Sequence, residues 1–360
     1  MERPRLRRLK SLFGRTNDSE QSPSPSVRDA HESQTPAVPP VSAGADTAPG
    51  VISRQMSQPQ THAEPQLHHP EQRHNRSAKK PMGQLELTFF GISDAGLKRP
   101  NNEDHFIVAD LTRHEIAVEN NIVVPEAIHQ PIGAQGTLLA VADGLGGQDD
   151  GEIASHIAVE AIVQTLFALQ KQRLSAAERL TLATQEAHNA ICRYTATIPG
   201  SRSMSSTLTA VHVAQDTMTI AQVGDSRAYL FSNGVLTQLT EDQTIVQMML
   251  KKGMLTNEEA ENHPDRHVIL QALGQGRAVS PEITHAPFQY SDYVLLCSDG
   301  LSSYVEHQLI EDILNEDTDE QTRCNHLLEA AYAAGGEDNV TILLARLWSS
   351  RSASHHDNTA

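Results

Sequence analysis

Leu138-Leu139-Ala140-Val141-Ala142-Asp143-Gly144-Leu145-Gly146-Gly147 is the stretch from which the rest of the chain can be read. Five apolar residues in succession predict a short buried strand. The run stops at a carboxylate, and the glycine after it leaves no side-chain bulk to obstruct a ligand. Asp-Gly alone is an ordinary turn dipeptide, but here the pattern recurs. Asp299 closes Val294-Leu295-Leu296-Cys297-Ser298-Asp299-Gly300, and Asp104 ends Arg99-Pro100-Asn101-Asn102-Glu103-Asp104 ahead of another apolar run. Asp338 lies in Gly335-Gly336-Glu337-Asp338-Asn339-Val340-Thr341. Carboxylates gathered without lysine partners repel one another, so a cluster of them calls for a cation, most simply a divalent metal.

Outward from this stretch, strands are expected at Leu85–Ile92, His105–Ala109 and Thr137–Ala142. Apolar residues at helical spacing predict a helix over Gly151–Gln172, with Asp149 and Asp150 at its positive end. A second long helix, Ser175–Thr195, opens on a capping box of Ser175 and Glu178. Strands follow at Ser206–Ala214, Thr217–Val223 and Arg227–Phe231, the last turning through Asn233-Gly234, a hairpin signal, into Val235–Leu239. Short helices are expected at Thr244–Lys252 and Asn257–Asn262, then strands at Ile283–Phe288 and Asp292–Cys297. Helices at Val305–Leu314 and Asp319–Ala334 and a strand at Val340–Leu347 complete the series. Two adjacent long helices, many antiparallel-looking strands, then helices beside a final strand argue an α+β fold.

The four aspartates in this order, with Gly224-Asp225-Ser226-Arg227 among them, resemble the metal-dependent protein phosphatases of the protein phosphatase 2C type. The resemblance runs from about Leu85 to Trp348. It sharpens the fold to an αββα sandwich, two antiparallel sheets face to face with helices on both outer surfaces. It implies a bacterial-type protein serine/threonine phosphatase that hydrolyses phosphoserine and phosphothreonine monoesters. The nucleophile it implies is a water bridged by two divalent metals, Mn²⁺ or Mg²⁺, suited to a hard-oxygen ligand set. Asp104, Asp143, Asp299 and Asp338 match the family's metal ligands, and the carbonyl of Gly144 matches a further one. Asp225 matches the residue that, in many bacterial relatives, helps Asp299 hold a third ion; read by itself it could equally order the turn. Arg99 matches the arginine that grips the substrate phosphate, a task for a planar, permanently charged fork. Glu103 matches a position that supports the metals through bound water, or is simply an exposed neighbour of Asp104.

Three departures stand out. Leu145 replaces a histidine that protonates the leaving alkoxide in many eukaryotic relatives, so water becomes the expected proton donor. Gln243 stands where relatives often carry histidine, and Ser205 where glycine is common. Residues 244–274 resemble a bacterial flap segment beside the active site. His263 and His267 within it share an i,i+4 spacing, but Pro264 interrupts a helix there and argues against a metal pair.

Composition sets the bounds. Residues 17–81 are rich in Ser, Pro, Gln, His and Ala and are expected to be disordered, which leaves a phosphatase domain at 82–349 and a disordered end at 350–360. Residues 1–80 carry twelve Lys/Arg against eight Asp/Glu, and the remainder sixteen against thirty-seven. A core with a net charge of −21 excludes nucleic acid as a natural partner. The first fifteen residues place Leu6, Leu9, Leu12 and Phe13 at helical spacing among six cationic residues. Such a leader suits an anionic membrane surface or an acidic partner. Cys192, Cys297 and Cys324 are too few and scattered for a disulfide framework or zinc site. No run is expected to reach the length of a membrane span, and the expected location is the cytoplasm, with a peripheral inner-membrane contact through the leader. The expected partners are phosphoserine and phosphothreonine proteins, including a serine/threonine kinase or its substrates. A catalytically silent phosphoprotein binder or a tail-driven adaptor would be the rival classes, and retention of all four aspartates and Arg99 argues against the first.

Overall fold

The computed structural model of the protein describes residues 84–120, 123–146, 150–198 and 204–349. The expected disordered tail with its basic leader, the 350–360 end and Asp149 lie outside the described residues.

Two antiparallel sheets form the centre. In one, the order is β10 (Val235–Gln238), β9 (Arg227–Ser232), β12 (Tyr293–Cys297), β13 (Val340–Ser349), β1 (Leu85–Asp94) and β4 (Ile128–Pro131). In the other it is β11 (Glu282–Pro287), β8 (Thr217–Val223), β7 (Leu208–Ala214), β5 (Thr137–Leu145), β2 (Asp104–Asp110) and β3 (Glu115–Asn120), with the two-residue β6 (Ser205–Ser206) paired to the end of β5. Phe89, Phe90, Leu295 and Leu343 of the first sheet share one buried cluster with Phe106, Leu139 and Val211 of the second. This inter-sheet layer is why the central strands read as unbroken apolar runs.

Helices cover both outer faces. α1 (Asp150–Leu169) packs on β5 and β2 and against α2 (Ala176–Ala196), while α6 (His307–Leu314) packs on β10 and α7 (Glu320–Ala333) on β13 and β1. The expected αββα sandwich is therefore the observed architecture. α1 has the length of a membrane span, 20 residues with an 18-residue stretch of mean hydropathy 1.4. Its apolar residues Ile153, Ile157, Ile162 and Val163 are instead buried against the sheet and α2.

Local signals hold at several boundaries. The Ser175 hydroxyl accepts from the Glu178 N–H at 3.2 Å and Glu178 accepts from the Ser175 N–H at 2.8 Å, closing the capping box of α2. Asn233 and Gly234 take φ of 52° and 81°, the left-handed pair a tight hairpin needs between β9 and β10. β3 and β4, absent from the sequence reading, are the edge strands of their sheets. Each has one neighbour, and β4 is four residues long, so neither carries a long apolar run.

Candidate active site

The carboxylates gather at one end of the sandwich, at the ends of strands from both sheets. β2 and β5 are antiparallel neighbours whose register puts Asp104 directly across from Asp143. From the other sheet, β12 ends at Cys297 and leads through Ser298 into the short α5 (Asp299–Ser302), while Asp338 lies two residues before the start of β13. The turn Gly224-Asp225-Ser226 crosses from β8 in one sheet to β9 in the other, with Gly224 at φ 98°.

Asp104 is fully buried. Its Oδ2 accepts two hydroxyls at 2.7 Å, Ser298 Oγ and Thr341 Oγ1, so the first sheet reaches across to hold a carboxylate of the second. Its Oδ1 is buried without a hydrogen-bond partner. Burial pushes the Asp104 carboxyl up to about 7 against those two hydroxyls, with Asp299 and Asp338 raising it further. Asp143 is pushed well above the usual carboxylate range by burial and then by Asp104, Asp299, Asp225 and Asp338. Asp225 rises to about 7 through burial, then Asp299 and Asp242. Asp338 is raised by burial and Asp299, opposed by the Asn339 N–H and Arg99.

Every one of these shifts has desolvation and like charge in it, and an unpaired buried carboxylate oxygen is costly unless something cationic meets it. The donors are all oxygens, so the group they suit is a small hard divalent cation, Mg²⁺ or Mn²⁺. Among the described residues no three His, Cys, Asp or Glu side chains yet converge as ligands on one point. Instead the carboxylates line a cavity of about 520 Å³.

All the residues expected at the site from the sequence line that cavity except Asp104, which lies buried beneath it: Arg99, Glu103, Asp143, Gly144, Asp225, Asp299 and Asp338. Arg99 donates from Nη2 to Asp338 Oδ2 at 2.8 Å, which parks a half-exposed guanidinium at the pocket. The Glu103 side chain packs where a Cβ on Gly151 would fall 2.3 Å from its Oε2, against the first turn of α1. A carboxylate is favoured there by the helix dipole. The Ser155 hydroxyl of α1 donates to the Glu103 carbonyl and lies 2.9 Å from His105 Nδ1. Gly144 tolerates no side chain, since a Cβ would lie 2.1 Å from the Gly151 carbonyl oxygen and 2.5 Å from that of Glu103. This close approach is the physical reason for glycine after Asp143.

Four features went unread in the sequence. Asn339 accepts from the Glu103 N–H at 2.9 Å and donates to the carbonyls of Ala95 and Asn101 at 3.0 and 2.9 Å. It ties the Arg99–Glu103 loop to the start of β13, and its place beside Asp338 in a glycine-flanked turn was the available signal. Arg227 of the Gly-Asp-Ser-Arg motif turns away from the pocket to clasp Asp242 at 2.8 and 2.6 Å. Gln243, where histidine is common, accepts from the Gly224 N–H at 2.9 Å and so braces the Asp225 turn. His267 lines the pocket with Tyr304, and its Nδ1 lies 3.5 Å from Asp299 Oδ2. α3 (Ile245–Lys251) and α4 (Asn257–Glu261) have both ended before His263, so the two flap histidines do not share a helix face, as Pro264 led one to expect.

Comparison with known proteins agrees with this fold. The family model described as "Protein phosphatase 2C" matches residues 119–333. The serine/threonine phosphatase Stp of Listeria monocytogenes is 36% identical over 256 residues, covering 70% of this chain and 92% of that protein. The serine/threonine protein phosphatase PstP of Mycobacterium tuberculosis is 34% identical over 261 residues, covering 72% of this chain and 45% of that protein. The crystal structure of the PstP catalytic domain in complex with two manganese ions superposes with a TM-score of 0.59 at 32% identity, covering 74% of this chain and all of that one. With its fold, its ordered aspartates and these likenesses in hand, the chain belongs to the protein phosphatase 2C family.

Proposed function

We propose that Asp104, Asp143, Asp299, Asp338 and the Gly144 carbonyl hold the Mn²⁺ or Mg²⁺ ions with which this protein serine/threonine phosphatase hydrolyses phosphoserine and phosphothreonine monoesters. The single observation that carries the assignment is the Asp104–Asp143 pair, opposed in register with one Asp104 oxygen buried and unpartnered. Bound there, a pair of divalent ions supplies Lewis-acid polarisation of the phosphoryl group and acidifies water. Asp225, buried and raised by burial and then by Asp299, would help hold a third, weaker ion.

The chain's own residues do the rest. Arg99 sits at the rim on an exposed side chain and can leave Asp338 to grip a phosphoryl oxygen pair, which a guanidinium does as a fork. Asp338, freed of that partner, becomes available to a cation. Leu145 lines the pocket and has no proton to give, so solvent protonates the leaving alkoxide. Cys297 is no nucleophile: burial pushes its thiol up to about 12. Phosphoproteins made by a bacterial serine/threonine kinase are the substrates this reading names. Release of phosphate from a phosphothreonine peptide, abolished by EDTA and restored by Mn²⁺, tests it; full turnover in excess chelator would refute it.

A further inference from the structure

The pocket has walls that phosphate chemistry does not use. His267 and Ile269 line it from the segment between α4 and β11, and Tyr304 lines it from just beyond α5. The His267 and Tyr304 rings lie near-parallel, 20° between planes with centroids 6.2 Å apart. Both are carried on anchored backbone. Ile245 N–H donates to the Val268 carbonyl at 2.9 Å and Leu270 N–H to the Gln243 carbonyl at 2.7 Å, which pins the flap segment on both sides of Ile269. Tyr304 N–H donates to the Leu301 carbonyl at 3.2 Å.

Their polar tips are uncommitted. Among the described residues, neither the Tyr304 hydroxyl nor His267 Nε2 takes part in a hydrogen bond. A phosphomonoester that enters phosphate first would direct its anionic end to Arg99 and to any cation the carboxylates hold. Its carbon end, with whatever polypeptide it belongs to, then meets the walls: Leu145 and Ile269, which are apolar, and the two rings. A peptide main chain would offer N–H and C=O groups to these walls; an aryl phosphate offers none. Rings with an apolar face and a free polar tip suit such a main chain.

We propose that His267 and Tyr304 are specificity-determining residues that bind the polypeptide around the phosphorylated side chain, packing against it and hydrogen-bonding its main chain. The inference deepens the proposed function and rests on it. It separates recognition of the phosphate, by Arg99, from recognition of the protein that carries it.

The test compares a phosphothreonine peptide with p-nitrophenyl phosphate in the full-length, Mn²⁺-loaded enzyme. The readout is the ratio of kcat/KM on peptide to kcat/KM on the aryl phosphate. His267→Ala should lower that ratio about tenfold and Tyr304→Phe about threefold, chiefly through KM on the peptide, as expected for a lost hydrogen bond of ordinary strength. His267→Gln keeps a side-chain donor and should recover part of the loss. A ratio that does not move overturns the proposal, and so does an equal fall on both substrates, which would mark a role at the phosphate site or in folding. Wild-type enzyme inert toward both substrates would instead sink the phosphatase reading itself.

Discussion

Asp104 and Asp143 face each other as partners across the β2–β5 ladder, two carboxylates at a position where an antiparallel pair is weakened by like charge. Around them the protein has done everything except neutralise them: both sheets end there, two hydroxyls cover one oxygen of Asp104, and the other is left bare. If these carboxylates hold a cation, as proposed, its binding would offset the cost of their burial, a trade of stability for function at a working site.

The first prediction separates those two sides of the trade. Asp143→Asn removes a charge opposite Asp104 while keeping size and hydrogen-bonding capacity. In EDTA the variant should melt several degrees above wild type, read by differential scanning fluorimetry. In saturating Mn²⁺ its turnover should fall by about a hundredfold or more, since a ligand has lost its charge. A variant that melts no higher than wild type in EDTA would show that the carboxylates are not in conflict.

The second concerns pH. Asp104 and Asp225 are raised to about 7 and Asp143 well above its ordinary range, in each case by burial first and neighbouring carboxylates after. Folded-state values above the unfolded ones mean that the native state binds more protons, so this contribution to stability is present at low pH and lost as pH rises through about 7. The chelated protein should therefore lose melting temperature between pH 5 and 7.5, and Mn²⁺ should abolish most of that slope. By the same linkage, Mn²⁺ affinity should rise over this window, because binding displaces protons. Calorimetric titration in buffers of different ionisation enthalpy counts them.

Much of this was legible from residues alone because the strands bearing the aspartates are central. Thr137–Ala142 and Val294–Cys297 are buried on both faces, so their apolar runs stop abruptly at the carboxylates and the break is visible. The flanking glycine at 144 could be read as clearance, and the structure gives the stricter reason, two carbonyl oxygens where a side chain would go. The contributions of Asn339 and Gln243 could not be read. Each works through backbone groups far away in sequence, such as the 236 positions between Glu103 and Asn339. The i,i+4 spacing of His267 from His263 carries no information about its spatial partners. Its contacts are to Asp299 and Tyr304, on a different element. The inter-sheet packing likewise has no signature in a single strand; it emerges only when both sheets are built.

Arg99 supplies the third prediction. Its guanidinium rests on Asp338 at 2.8 Å, half exposed, so it is within reach of the pocket without being locked there. Arg99→Ala should raise KM for phosphopeptide about ten- to a hundredfold, the value of a charge-assisted forked contact, with a smaller change in kcat. Arg99→Lys keeps the charge but loses the fork and should fall between. Steady-state kinetics at saturating Mn²⁺ decides; a drop in kcat with KM untouched would place Arg99 in the chemistry rather than in binding.

Leu145 carries the last. It lines the pocket at the end of β5, where its backbone pairs with Ser205, and it has no group that titrates. With solvent as the proton donor, the rate should climb from acid toward neutral and alkaline pH and show no falling limb set by an imidazolium. Leu145→His places a group of pKa about 6.5 at that wall. Phosphothreonine has a poor alkoxide leaving group that needs a proton, whereas p-nitrophenolate scarcely does. The substitution should therefore raise the relative rate on phosphothreonine peptide over p-nitrophenyl phosphate, and only below the imidazole pKa, where it is protonated. The pH profile on the peptide should gain a descending limb near that value while the profile on the aryl ester keeps its shape. Parallel changes on both substrates would mean that residue 145 does not face the leaving group, and the wall it forms would then belong to peptide binding together with Ile269.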